Sequence, residues 1–68
     1  MKKHSVILFG HATSFSLEDE FWEELKDIAK NRQTSVLALI KQLDETRTCN
    51  LSSAIRVFIL NELKKKNQ

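Results

Sequence analysis

The hydrophobic positions of the chain fall into successive groups, each with its own spacing. Ser5 to Phe9 reads Ser-Val-Ile-Leu-Phe, β-branched and apolar, which suits a strand. Gly10 breaks or bulges that run. From His11 to Leu17 the pattern alternates: Thr13, Phe15 and Leu17 share one face, and Ala12, Ser14 and Ser16 share the other. Period two with one apolar face marks a half-buried strand, so a strand is predicted over about residues 5–16.

The period then becomes helical. Ser16 stands before Glu18, Asp19 and Glu20, a hydroxyl cap ahead of acids that suit the positive end of a helix. Phe21, Leu25, Ile28 and Ala29 form a stripe flanked by Trp22, predicting a first helix over about 17–31. Thr34 or Ser35 caps a second helix over about 35–46, with Val36, Leu39, Ile40 and Leu43 on one face. The pattern lapses between Asp44 and Asn50. Asn50, with Ser52 or Ser53 as alternatives, caps a third helix over about 51–65. Leu51, Ala54, Ile55, Phe58, Ile59 and Leu63 line one side of it, and Val57 and Leu60 widen that side. The lysines at 64–66 suit the negative end of this helix, and Asn67 and Gln68 are expected to fray. The chain therefore reads as one mainly α domain over 1–68: an N-terminal strand, two helices and an additional C-terminal helix.

Composition changes this picture in one respect. A 68-residue domain is marginal by itself, and small folds usually add disulfides, a metal or a partner subunit. One cysteine, Cys49, excludes an intrachain disulfide, and Cys49, His4 and His11 match no zinc spacing. Oligomerisation is the remaining device. A helix apolar around most of its circumference, as the third one is, also buries more than one side, and the second side is assigned to another copy. No apolar run approaches a membrane span or a signal-peptide core, so the expected location is the cytoplasm.

Charge is unevenly spread. Residues 1–17 carry Lys2 and Lys3 and no acid. Residues 18–31 carry six acids against Lys26 and Lys30, and residues 32–68 carry seven bases against three acids. Such asymmetry suits a polyanion partner that meets the chain away from its acidic helix. The acids of the first helix read as a solvated face, with Asp27 and Lys30 spaced for an ion pair. No nucleophile–base arrangement, phosphate loop or metal set is present, so neither catalysis, a cofactor nor a small-molecule ligand is expected.

A single strand is unstable alone. Val6–Phe9 can pair back on 12–16 across Gly10, or the strand can pair with its copy in a second protomer; the second arrangement is the expected one. Two antiparallel strands would close Phe15 and Leu17 over the helices and leave Ala12, Ser14 and Ser16 outward. A ribbon of that width enters the DNA major groove.

Thr13-Ser14-Phe15-Ser16-Leu17, Phe21-Trp22-Glu23-Glu24-Leu25 and Thr34-Ser35-Val36 resemble the ribbon-helix-helix superfamily of bacterial repressors, which includes the Arc and methionine repressors. A closer resemblance is to short bacterial ribbon-helix-helix domain proteins. It is carried by Ser5-Val6, by Gly10-His11-Ala12-Thr13-Ser14, by Ser16 to Trp22 and by Asn50-Leu51-Ser52-Ser53-Ala54-Ile55-Arg56, and it spans about residues 4–60.

The resemblance implies a homodimeric DNA-binding transcriptional regulator, or alternatively an antitoxin-like or adaptor protein-interaction module. It implies base-facing Ala12, Ser14 and Ser16, and a phosphate held at Ser35 and Val36, in keeping with the anion affinity of helix N-termini. Lys2 and Lys3 are further phosphate candidates, and His4 and His11 are secondary candidates for DNA contact. Phe15, Leu17, Phe21, Trp22, Ile55, Phe58 and Ile59 are assigned to the core or dimer interface. The small outward side chains depart from the long polar readers usual in this superfamily, and the third helix is an addition to its minimal pattern.

Overall fold

A computed structural model describes residues 2–66, in the order β1 (Lys2–Leu8), β2 (His11–Leu17), α1 (Asp19–Asn31), α2 (Val36–Thr46) and α3 (Leu51–Lys66). The ends expected to fray, Asn67 and Gln68, lie outside the described residues, as does the side chain of Lys66.

The N-terminal region holds two strands where one was expected. It is a hairpin within one chain, with β1 antiparallel to β2 and Leu8 opposite His11. Phe9 and Gly10 alone make the turn, at φ +53° and +81°. Two successive left-handed residues give the primed turn whose twist matches that of paired strands. Asn-Gly is the usual sequence for it. Phenylalanine rarely adopts positive φ, which makes the pairing back across Gly10 the less expected of the two arrangements. In a two-residue hairpin the pair beside the turn exchanges both hydrogen bonds, and such pairs alternate with non-bonded ones. Val6 opposite Thr13 and His4 opposite Phe15 are thus bonded pairs, whereas Ile7–Ala12, Ser5–Ser14 and Lys3–Ser16 are not. The backbone N–H and C=O groups of Ala12, Ser14 and Ser16 consequently point away from β1.

The inner face of the hairpin supplies Leu8, Phe15 and Leu17 to the core. Leu25, Ile28 and Ala29 come from α1, Leu39 and Ile40 from α2, and Leu51, Ile55 and Ile59 from α3. Phe21, Trp22 and Phe58 are half-buried against this cluster. His4 also faces inward. Its ring stacks on Trp22 at 4.1 Å and 19°, and on Phe15 at 5.3 Å and 24°. Val57 and Leu60 remain exposed on α3, at 55% and 49%.

The helix ends are made locally, with one exception. The Ser35 hydroxyl accepts a hydrogen bond from the Ala38 amide at 3.0 Å, and the Asn50 carboxamide accepts one from the Ser53 amide at 2.9 Å, so both caps are as expected. Helix α1 ends with Gln33 at φ +56°, where Gln33 and Thr34 donate to the carbonyls of Lys30 and Ala29. This is a Schellman closure without glycine. The exception is the start of α1. Ser16 does not cap it: Ser16 belongs to β2, and the N-cap is Glu18, whose side chain makes no capping hydrogen bond to the helix.

That junction is held instead from α3. The Ser16 amide donates to the Ser52 hydroxyl at 3.0 Å. Arg56 donates to the Ser16 carbonyl at 3.4 Å and to the Glu18 carboxylate at 3.0 Å. A hydrogen bond from its own backbone amide and then the Arg56 guanidinium hold the Glu18 carboxyl below the usual glutamate range. At the other end of α3, Glu62 pairs with Arg32, whose guanidinium lies 5.3 Å from the centre of the Phe58 ring. On the surface of α1, Lys26 pairs with Glu23 at 3.1 Å, in place of the Asp27–Lys30 pair expected from spacing.

Two substitutions test the register. Phe15→Ala should cost about 3–5 kcal/mol and Ser14→Ala less than about 0.5 kcal/mol, as read by urea denaturation. The opposite ranking would mean the strand is shifted by one residue. Phe9→Asn should stabilise the fold by about 0.5–1 kcal/mol, because asparagine tolerates the left-handed turn and the replaced ring is largely exposed. A loss of stability would show that the Phe9 ring packs.

The Glu18 clasp has a pH signature. A carboxyl with a lowered folded-state value contributes stability that is complete above the unfolded value, about 4.3 for glutamate. That stability is lost as pH falls through the lowered folded value. The stability difference between the parent and Glu18→Gln should therefore shrink on acidification. A difference independent of pH would remove the charge-assisted clasp.

Candidate nucleic-acid interface

The outward face of the hairpin is built from both strands. Parity places Ala12, Ser14 and Ser16 on it as expected. The register adds Lys3, Ser5 and Ile7 opposite them. Ala12 and Ser14 are exposed, and a shallow depression is lined by Lys3, Ser5, Ala12, Thr13 and Ser14. Ser16 is half-buried at the base of the ribbon, with its backbone engaged by Ser52 and Arg56. Sequence reading missed Ser5 and Ile7 because it ran 5–16 as one strand. The signal available for them was the two-residue gap at Phe9-Gly10, which fixes the partner of every position once a tight turn is assumed.

The other candidates separate. Lys2 is exposed at the end of β1 opposite Leu17, on the inner parity. His11 is exposed beside the turn and shares that parity, opposite Leu8. His4 is removed from the outward face altogether, since its ring is sandwiched with Phe15 and Trp22. Ser35 and Val36 begin α2, which packs on α1 and α3. There the Ser35 hydroxyl is committed to Ala38, and the amides of the first helical turn have no intrahelical acceptor. Such amides, with the helix dipole behind them, attract anions.

The fold also sorts charge about the hairpin. Trp22 brings α1 against the inner face, so the exposed acids Glu20, Glu23 and Asp27 belong to an element behind the ribbon. The hairpin itself, residues 2–17, carries no acid. Among the described residues no group of three or more His, Cys, Asp or Glu could hold a metal ion, and no helix is long and apolar enough to cross a membrane.

The residues that carried the family resemblance near the third helix prove to be structural. Asn50 caps α3, Leu51 and Ile55 are buried, Ser52 holds Ser16, and Arg56 holds Ser16 and Glu18. No curated protein and no solved structure matches the chain. The model of one family, described as the ribbon-helix-helix domain, matches residues 1–63. With that match covering nearly all of its length, the chain belongs to the ribbon-helix-helix domain family.

Proposed function

We propose that this protein is a DNA-binding transcriptional regulator whose hairpin lies in the major groove, outward face down, without any catalytic step. The observation that carries the reading is an acid-free, two-stranded ribbon formed within a single chain, with the acidic helix packed behind it. Paired strands lie about 4.8 Å apart, and a groove about 12 Å wide admits such a ribbon. Ser5, Ala12 and Ser14 then meet base edges or the groove wall, Lys2 and Lys3 reach phosphates, and the α2 N-terminus at Ser35 and Val36 holds another. His11, beside the turn, is a further backbone contact.

Assembly as a homodimer remains part of the proposal on altered grounds. Since β1 already pairs with β2, the need for a partner rests on the exposed Val57 and Leu60 of α3. A second reading, a protein-interaction module of antitoxin-like or adaptor type, is favoured by one observation: Ile7 and Phe9 expose apolar surface at the hairpin tip. The proposed setting is the cytoplasm, where duplex DNA is accessible.

Binding to duplex DNA should weaken steeply with salt, with a log–log slope of about −0.9 per phosphate neutralised. Removing Lys2 and Lys3 together should flatten the slope by about two per protomer. Ser14→Glu should abolish binding while leaving the circular-dichroism melt unchanged, because it sets a carboxylate against the groove. A folded Ser14→Glu protein that binds like the parent would move the interaction-module reading to first place. For the dimer, the thermal midpoint should fall on hundredfold dilution. A constant midpoint together with a monomer mass in sedimentation would exclude it.

A further inference from the structure

The outward face of the hairpin is chemically graded along its length. At the base Lys3 faces Ser16, in the middle Ser5 faces Ser14, and beside the turn Ile7 faces Ala12. The core does not require the last of these pairs to be apolar, since the hairpin contributes Leu8, Phe15 and Leu17 to it from the other face. Ile7 is nevertheless 61% exposed, and Phe9 beside it 58%. Both side chains of the Ile7–Ala12 pair carry only hydrocarbon. As a non-hydrogen-bonded pair they stand close together, with Cα atoms about 4.5 Å apart. They form a small methyl-bearing surface at the end of a face otherwise made of hydroxyls and an ammonium.

We infer that the Ile7–Ala12 pair is a thymine-methyl reader, giving the ribbon its preference among base pairs. The inference rests on the groove reading above. In the major groove, the apolar group a base pair presents is the C5 methyl of thymine. The Ser5–Ser14 pair discriminates weakly, because a hydroxyl both donates and accepts and so tolerates several base edges. Preference therefore comes from the apolar end of the ribbon. Charge identifies the occupant as duplex DNA. The hairpin lacks acids, Lys3 shares its outward face, and the acidic α1 packs against the inner face. Ile7 is on β1, whereas the base-facing residues implied by the family resemblance are on β2.

The test compares two short duplexes of equal length and charge, one of alternating dA and dT, the other of alternating dA and dU. They differ in the C5 methyl. Fluorescence anisotropy at low salt should show the parent protein binding the thymine duplex about fourfold more tightly for each methyl covered. Ile7→Ser should bind both duplexes with the parent's affinity for the uracil duplex, and its far-UV circular dichroism should match the parent's. Equal binding of both duplexes by the parent would overturn the methyl reading and leave the groove reading standing; this comparison needs no variant to fold. Failure of the parent to bind either duplex would remove the groove reading, and this inference with it. A drop in sedimenting mass on Ile7→Ser, without change in the thymine preference, would assign the pair to contact with a second copy and overturn the inference.

Discussion

The arrangement of this small protein depends on the way α3 grips the backbone of Ser16. The edge of a strand is a row of unsatisfied amides and carbonyls that water or another strand must otherwise fill. Here the Ser52 hydroxyl takes the Ser16 amide, and Arg56 takes its carbonyl while also holding Glu18. Three elements thus meet at one residue: the end of β2, the start of α1 and the first turns of α3. The hairpin projects in a fixed direction because its base is anchored by hydrogen bonds, in addition to the contact of Phe15 and Leu17 with the core. Ser16 is accordingly half-buried at the base of the hairpin, whereas Ser5, Ile7, Ala12 and Ser14, nearer the turn, are exposed.

Electrostatics follow from the same packing. Trp22 stacks on His4, and this places the most acidic helix behind the ribbon. A chain with net charge +2 thereby presents an acid-free hairpin and a separate acidic flank. The separation depends on tertiary structure, because Glu18 and the acids that follow it adjoin β2 in sequence.

Much of this was legible in the sequence because local rules sufficed. The alternation of Thr13, Phe15 and Leu17 gave the inner face. The stripes gave three helices, and Ser35 and Asn50 capped two of them as their side chains allow. What failed was non-local or conformationally unusual. Ser16 precedes an acidic run as a cap would, but its partner is 36 residues away in α3. The pairing across Phe9-Gly10 is the less expected arrangement because a phenylalanine occupies a left-handed position there. With residues 5–16 taken as one strand, Ser5 and Ile7 have no place on the outward face, nor His4 on the inward one. Thus the three helices follow from local pattern except for the start of α1, and the outward face of the hairpin follows from it only on β2.

The two-residue turn also sets an order of assembly. Every pairing in the hairpin joins residues close in the chain, so it can close on the microsecond scale typical of hairpins. The Ser16–Ser52 bond spans 36 residues and must await α1, α2 and the loop that leads into α3. The hairpin can therefore close before the contacts that anchor it are available. Until α3 arrives, the backbone amide of Ser16 at the end of β2 has no Ser52 hydroxyl to take it, and that end of the strand edge is offered to its neighbours.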